Sequence, residues 1–191
     1  GTYGGQSVVT AQTNKSTNSN ADESWDSQSV TTTYQHDTAG RLKGATGDGT
    51  TSGNDGLGQS SSGTIAQSFF IKNGNAVVQT SRAVSDSSGK GTSHSDITTT
   101  SGYDADGRLI SMVGKGTFYG TSVAENGKIS DYSGSIDQAY AIRAGTPLLM
   151  KATNTNVSSA VEEGIRRNST TVITTTYAYD NMNRLVGAKA D

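Results

Sequence analysis

The stretch VTTTYQHDTAGRL at residues 30–42 returns as ITTTSGYDADGRL at residues 97–109 and as ITTTYAYDNMNRL at residues 173–185. The three copies start at Val30, Ile97 and Ile173, so the second interval is slightly longer than the first. Recurrence of one long pattern indicates a single structural unit used three times along the chain. The spacing divides the chain into a partial first repeat at residues 1–47, a second at 48–116 and a third at 117–191.

Each copy begins with the alternation typical of a β-strand. In the third copy Ile173, Thr175, Tyr177 and Tyr179 occupy alternate positions, and threonine or alanine fills the positions between them. Successive residues of a strand point to opposite faces, so one side is aliphatic and aromatic and the other is polar. The pattern predicts a half-buried strand of about eight residues in each copy.

A turn is predicted immediately after each strand. An aspartate begins it, a glycine or asparagine follows three residues later, and an arginine starts the return strand. Aspartate accepts hydrogen bonds from nearby backbone amides, and Gly and Asn best tolerate a positive φ. The sequence therefore predicts three hairpins with three-residue loops and cross-strand Asp–Arg ion pairs. The predicted structural residues are Asp37, Gly40, Arg41, Asp104, Gly107, Arg108, Asp180, Asn183 and Arg184.

A second pattern also recurs. GTIAQSFFIKNG at residues 63–74 aligns with GSIDQAYAIRAG at 134–145, and both predict a strand ending in a glycine turn. Residues 80–96 and 152–170 are more polar, and we expect them to loop out or to form polar strands. The segment VSSAVEEGIRR at 157–167 is the one predicted short helix. The glycine-rich residues 114–120 are predicted to form a turn between repeats.

Composition favours an ordered, polar, β-rich chain. The sequence has 24 glycines and 31% hydrophobic residues, but only one proline and 17% charged residues, whereas disordered segments are usually rich in both. A net charge of −2 gives no electrostatic footprint for nucleic acid. Absence of cysteine excludes disulfides and thiolate metal sites, and no apolar run approaches the length of a membrane span. Because the chain begins with Gly1, we expect it to be a mature or excised piece of a longer protein.

The repeated unit resembles the YD repeat of the Rhs and teneurin families. The resemblance rests on YAYDNMNRL at 177–185 and GYDADGRLISMVG at 102–114, and it covers about a fifth of the chain. The first copy has His36 where the family has its second tyrosine, and the third has Asn183 in place of glycine. The resemblance implies hairpins stacked into a long spiralling β-sheet, often a shell around a toxin, exposed on or exported from the cell.

Candidate chemical sites are weak in this sequence. Asp104 and Asp106 resemble part of a calcium loop, but the first and twelfth ligand positions would fall on Gly102 and Val113. The two histidines, His36 and His94, lack the arrangement of a hydrolase triad. We therefore expect no catalytic, cofactor or metal site, and we expect that the protein is not an enzyme.

Together these patterns predict an all-β, elongated, solenoid- or fibre-like repeat body of antiparallel hairpins stacked in tandem. The expected function is structural, as a self-associating fibre subunit or adhesin stalk at the cell surface or in the extracellular matrix. The expected partner is a second copy, joined through strand edges. Two alternatives remain: a fragment of a toxin-encapsulating shell, or a glycan-binding module that uses Trp25, Tyr34, Tyr119, Tyr132 or Tyr140.

Overall fold

The computed structural model describes residues 1–3, 6–125, 127–162 and 165–191. Eleven antiparallel strands form one open sheet in which each strand pairs with its neighbours in sequence. A separate two-stranded sheet precedes it, and no helix occurs in the described part of the chain. The predicted all-β architecture of tandem antiparallel hairpins is confirmed.

The strands have the following bounds: β1 (Thr2–Tyr3), β2 (Gln6–Ser7), β3 (Ala11–Ser19), β4 (Trp25–His36), β5 (Leu42–Asn54), β6 (Ser60–Lys72), β7 (Asn75–Ser88), β8 (Thr92–Tyr103), β9 (Leu109–Val123), β10 (Ile129–Arg143), β11 (Thr146–Glu162), β12 (Ile165–Tyr179) and β13 (Leu185–Ala190).

The strands are longer than the sequence predicts. The threonine-rich strands β4, β8 and β12 have 12, 12 and 15 residues rather than about eight. The polar residues 80–88 and 92–96 belong to β7 and β8, and residues 152–162 and 165–170 belong to β11 and β12. Polar segments take this form because pairing with a neighbouring strand satisfies their backbone hydrogen-bonding groups.

Two predictions about local structure are wrong. Residues 157–162 of the predicted helix belong to β11 and residues 165–167 belong to β12, while residues 163 and 164 lie outside the described residues. A helix here would have no second layer on which to bury its apolar side, whereas the strand is paired with β10 and β12. The glycine-rich residues 114–120 lie in the middle of β9 and form no turn.

The structural repeat consists of four strands. The threonine-rich strands β4, β8 and β12 are four strands apart, and so are β6 and β10, which contain the second sequence pattern. The repeat boundaries set by sequence spacing, after residues 47 and 116, fall inside β5 and β9. The repeating unit is therefore defined by whole strands, from one threonine-rich strand to the next.

The hydrogen-bond register assigns the side chains to two faces. Directly paired residues of an antiparallel sheet share a face. One face, called the glycine face, includes a row in which large aliphatic residues alternate with smaller ones along consecutive strands. This row is Val30, Gly49, Ile65, Ala83, Ile97, Gly116, Ile136, Asn154 and Ile173. The opposite face, called the charged face, carries Arg82, Asp96, Lys115 and Asp137.

Large side chains on the glycine face lie over glycines of the neighbouring strand. A β-carbon at Gly49 would lie 2.8 Å from Cγ2 of its partner Val30, and one at Gly116 would lie 2.8 Å from Cγ1 of its partner Ile97. These separations are shorter than real contacts, so the space above each glycine is already filled. Side chains therefore pack sideways across strands, in place of a second layer.

The sheet has no deep core. The buried hydrophobic side chains among the described residues are the small Ala45 and Ala152 together with Leu148. The accessible surface of the chain is 12033 Å². A compact monomer of 19.7 kDa would expose roughly 8,600 Å². The excess follows from the single layer, because none of the described residues forms a second layer over either face of the sheet.

We expect Gly116→Ala to destabilise the fold. The added methyl group would lie 2.5 Å from the backbone oxygen of Asp96 and 2.8 Å from Ile97 Cγ1, so the ladder must shift. Overpacking of this kind costs about 1–3 kcal/mol in the free energy of unfolding. The measurement is urea unfolding followed by circular dichroism. Gly187→Ala is the matched control, because a β-carbon there meets nothing within 4 Å. Equal stability of the two variants would contradict lateral packing.

Candidate assembly interface

The three Asp–Arg motifs adopt one kind of hairpin. In the first, the Gly40 amide donates to the Asp37 carbonyl at 2.9 Å, and the Asp37 amide donates to the Arg41 carbonyl at 2.9 Å. The same pair of bonds closes the hairpins at Asp104 and Asp180. The loop residue with positive φ is Gly40 (80°), Gly107 (82°) or Asn183 (63°).

The aspartate carboxylate holds each loop together. Asp37 Oδ1 accepts from the backbone amides of Ala39 and Arg41, both at 2.9 Å, and its Oδ2 accepts from Arg41 Nε at 2.8 Å. Asp180 makes the equivalent bonds, including one of 2.7 Å from Arg184 Nε. Hydrogen bonds from the arginine backbone amide and then from its side chain lower the pKa of Asp37 and of Asp180.

The second hairpin differs from the other two. Asp104 Oδ1 accepts from the backbone amides of Asp106 at 2.9 Å and Arg108 at 2.8 Å. The structure records no side-chain ion pair between Asp104 and Arg108, although both residues are described. The turn at Asp104 is therefore held by backbone amides, and this carboxylate is committed to the loop.

These carboxylates make stability depend on pH. A pKa lowered by folding contributes stability that is present above the ordinary carboxyl value of 3.8 and is lost as the pH falls below it. We expect the double variant Asp37→Asn/Asp180→Asn to lose less stability than wild type on acidification from about pH 5 to about pH 2. Thermal unfolding at each pH measures this difference.

The matched control for that measurement is Asp106→Asn, within the second loop. No hydrogen bond to the Asp106 carboxylate is recorded, so this variant should keep the wild-type slope. A double variant with an unchanged slope would mean that the two loop carboxylates do not contribute to the acid sensitivity of the fold.

All three hairpins lie at the same end of the strands, called the motif end. The two-residue turns at 73–74 and 144–145 lie there as well, because alternate connections of an antiparallel meander share an end. Arg143, just before one such turn, donates from Nη1 to the carbonyl of Asp180 at 3.2 Å. Neighbouring turns at this end are thereby tied together.

Two open clefts lie near the motif end. One, of about 400 Å³, is lined by Val9, Gln12, Tyr34, His36, Gly40, Leu42 and Gly74. The other, of about 660 Å³, is lined by Asp104, Arg108, Leu109, Ile110, Ile142, Ala144 and Gly145. The acidic group in the second cleft, Asp104, is already bonded to its own loop. Neither lining brings together a nucleophile, a base and an acid.

The charged face carries isolated pairs of groups. Arg82 contacts Asp96 through two bonds of 2.8 and 2.5 Å, which lower the pKa of Asp96. His94 Nδ1 lies 2.7 Å from Asp86 Oδ1, and its ring stacks on Tyr119 with 4.6 Å between centroids. The described residues contain no group of three or more His, Asp or Glu side chains placed to hold a metal ion.

The aromatic residues predicted for glycan binding do not form one platform. By register, Tyr34, Tyr132 and Tyr140 belong to the glycine face, where all three are half-buried. Trp25 and Tyr119 belong to the charged face, with 40% and 55% of their surface exposed. The described structure therefore offers single exposed rings on two different strands.

The sheet ends in two edge strands, β3 and β13. Every residue of both strands is exposed, and neither has a further strand beside it among the described residues. An edge strand presents unpaired backbone N–H and C=O groups that can accept another strand. These edges are the structural feature that bears most directly on partners.

A third repeated pattern escaped the sequence reasoning. Residues 47–53 read GDGTTSG and residues 114–120 read GKGTFYG, so that G-x-G-T-x-x-G occurs twice. The interval from Gly47 to Gly114 equals the interval from Val30 to Ile97, where the first two threonine-rich copies start. These equal intervals could have indicated, from the sequence alone, that the glycines belong to the repeat and lie in strands.

No family model matches the chain, and neither the curated proteins nor the solved structures contain a match. The similarity to YD repeats therefore stays a prediction that rests on the motif residues. Within the described part of the chain there is no helix with the length and apolar character needed to cross a membrane.

Proposed function

We propose that this chain is a structural repeat module that associates with further copies of itself through its strand edges. It serves as a fibre subunit or adhesin stalk at the cell surface or in the extracellular matrix. The observation that carries the proposal is the single-layer sheet with both edges unpaired among the described residues.

The exposed area supports assembly. The chain exposes about 3,400 Å² more than a compact monomer of its mass would. A stable protein–protein interface takes about 800 Å² from each partner. The excess lies on the uncovered faces, so it leaves room for face contacts of this size between copies, in addition to pairing at the strand edges.

The polar faces suit a module that works in water as an extended body. Ion pairs such as Arg82–Asp96 and Lys115–Asp137 occupy the charged face, and paired hydroxyls such as Thr153–Thr174 line the strands beside them. Extended repeat bodies of this kind act as spacers and contact surfaces rather than as enzymes. The resemblance to YD repeats supports the same location outside the cell.

The test is analytical ultracentrifugation of the purified chain over a concentration series, with negative-stain electron microscopy of the same samples. We expect assemblies that grow with concentration, and sheets or filaments in the images. A chain that stays monomeric at every concentration would contradict the proposal.

A matched pair of variants identifies the edges as the contact. Thr13→Pro/Ala188→Pro removes one outward backbone N–H from each edge strand, β3 and β13, and proline is tolerated where the N–H faces solvent. We expect this pair to reduce assembly. Thr13→Val/Ala188→Val keeps both N–H groups and should assemble as wild type does. Equal assembly of the two variants would exclude strand addition.

Glycan binding is a second candidate, favoured by the exposed Tyr119. Its ring stacks on His94, and the carboxylate of Asp86 bonds to that histidine, so an aromatic surface and a polar group lie side by side. We expect Tyr119→Ala to abolish any glycan-dependent fluorescence quenching across a broad glycan panel, and Tyr34→Ala to leave it intact. No quenching of wild type by any glycan would eliminate this candidate.

A further inference from the structure

The charges in the middle of the sheet lie on one face. The register assigns to the charged face Arg82, Asp86, Asp96, Lys115, Asp131 and Asp137. Among the described residues, the row of the glycine face that begins at Val30 contains no charged side chain, and nor do the rows on either side of it, which begin at Thr32 and Gln28 of β4. Burial of a charge is costly. The glycine face can therefore be covered without that cost.

The glycine face has a regular relief. In the row that begins at Val30, the large residues lie on β4, β6, β8, β10 and β12, and smaller residues lie on the strands between them. Ile97 leans over Gly116, where a β-carbon would lie 2.8 Å from Ile97 Cγ1. On its other side Ala83 of β7 is exposed, between Ile97 and Ile65. The strand β7 thus lies in a furrow between two ridges.

This relief restricts what can cover the face. Ridges on every second strand are about 9.6 Å apart. A covering surface that fits must carry ridges with the same spacing and must be uncharged where it meets the middle rows. A second copy of this chain has both properties, because its own glycine face carries the same rows.

The area of the face is sufficient for a stable contact. Eleven strands about 4.8 Å apart, with about 13 residues each, give each face about 2,300 Å². A stable interface takes about 800 Å² from each partner, or about a third of the face. Two sheets stack face to face about 10 Å apart, with their strands nearly aligned.

We propose that two copies stack by their glycine faces, about a two-fold axis that is parallel to the strands and runs between β7 and β8. This axis places β7 over the partner's β8, β6 over the partner's β9 and β5 over the partner's β10. The contact uses the same surface patch on both subunits. It involves the face of the sheet, so it goes beyond the edge association proposed above.

The position of the axis sets large residues against small ones. Ile97 faces the partner's Ala83, and Ile65 faces the partner's Gly116. An axis on β8 itself would instead set Ile65 against the partner's Ile136. The neighbouring rows follow the same rule, with Gln67 opposite the partner's Gly114 and Phe118 opposite the partner's Gly63.

The test uses an edge-blocked chain, the variant Thr13→Pro/Ala188→Pro, in which association through the strand edges is reduced. We expect this chain to form a dimer in analytical ultracentrifugation. Ala83→Glu in the same background adds one carboxylate from each copy to an uncharged contact. It should raise the dissociation constant of the dimer at least about tenfold.

The matched control is Ala66→Glu in the same background. Ala66 is also exposed and lies on the neighbouring strand, but on the charged face, between Asp48 and Arg82. This variant should dimerise as the edge-blocked chain does. A second variant, Asn154→Asp, adds a charge to the glycine face with almost no change of volume, and it should weaken the dimer as Ala83→Glu does. Circular dichroism checks that each variant keeps its strands.

A spin label on Ala105→Cys tests the direction of the axis. The chain has no cysteine, and Ala105 lies in an exposed loop at the motif end. An axis parallel to the strands brings the motif ends of the two copies together, so double electron–electron resonance should give a distance of about 15–20 Å. An axis across the strands would separate the labels by a strand length, about 44 Å, and would overturn the arrangement.

The outcomes separate this inference from the proposed function. Assembly of wild type while the edge-blocked chain stays monomeric overturns face stacking and leaves edge association standing. A wild type that is monomeric at every concentration overturns both. Equal dimerisation of Ala83→Glu and Ala66→Glu, or a loss confined to Ala66→Glu, overturns the glycine face as the contact.

The apolar dye anilinonaphthalene sulfonate probes for a different occupant of the face, because it binds exposed apolar surface. We expect little binding to the dimer, in which the glycine faces cover each other. If the edge-blocked chain stays monomeric and binds the dye, and Ala83→Glu abolishes that binding, the second copy is not the occupant and the inference fails.

Discussion

A large side chain lying over a glycine of the next strand is the contact on which this sheet depends. Most β-sheets bury one face against a second layer of structure. Within the described part of the chain no second layer covers this sheet, so its apolar side chains pack against side chains and glycines of neighbouring strands. Val30 lies over Gly49, and Ile97 lies over Gly116. A larger residue at either glycine would push the covering side chain into water and distort the backbone ladder.

This contact recurs within the four-strand repeat. A strand with glycines must be flanked by strands with larger side chains, and a second row on the glycine face repeats Thr, Gly, Gln and a small residue every four strands. The row is Thr32, Gly47, Gln67, Ser81, Thr99, Gly114, Gln138, Ala152 and Thr175. A one-residue slip of register would move every member of the row to the other face. The packing of large side chains over glycines therefore requires this register, and the register in turn places those side chains over the glycines.

Because the side chains pack across strands within the sheet, the backbone groups that remain available for pairing lie at its edges. A two-layer protein hides most of its apolar surface inside, whereas this sheet can satisfy further backbone groups only by adding strands. The described edge strands, β3 and β13, are exposed along their whole length, and β3 is polar with a central lysine.

Much of this fold could be predicted from the sequence where local chemistry decides it. The loop from Asp37 to Arg41 could be predicted because its two requirements lie within five residues. Asp37 accepts hydrogen bonds from the loop amides, and Gly40 adopts the positive φ. The role of Gly116 could not be predicted from its own segment, because the residue that covers it, Ile97, lies on another strand. The segment at 157–167 was predicted as a helix because its alternation is weak, and pairing with β10 and β12 overrides that preference. The edges of the sheet were predictable in kind, because a row of tandem hairpins that does not close leaves an edge strand on each side.

Small-angle X-ray scattering of the monomer, at a concentration where sedimentation shows one species, tests the single-layer sheet most directly. Eleven strands about 4.8 Å apart, with about 13 residues each at about 3.4 Å, form a plate with a radius of gyration of about 20 Å. A compact domain of 191 residues has a radius of gyration of about 16 Å. The larger value, that of the plate, is the predicted result. The smaller value would mean that the sheet folds onto itself, and it would contradict lateral packing as the source of stability.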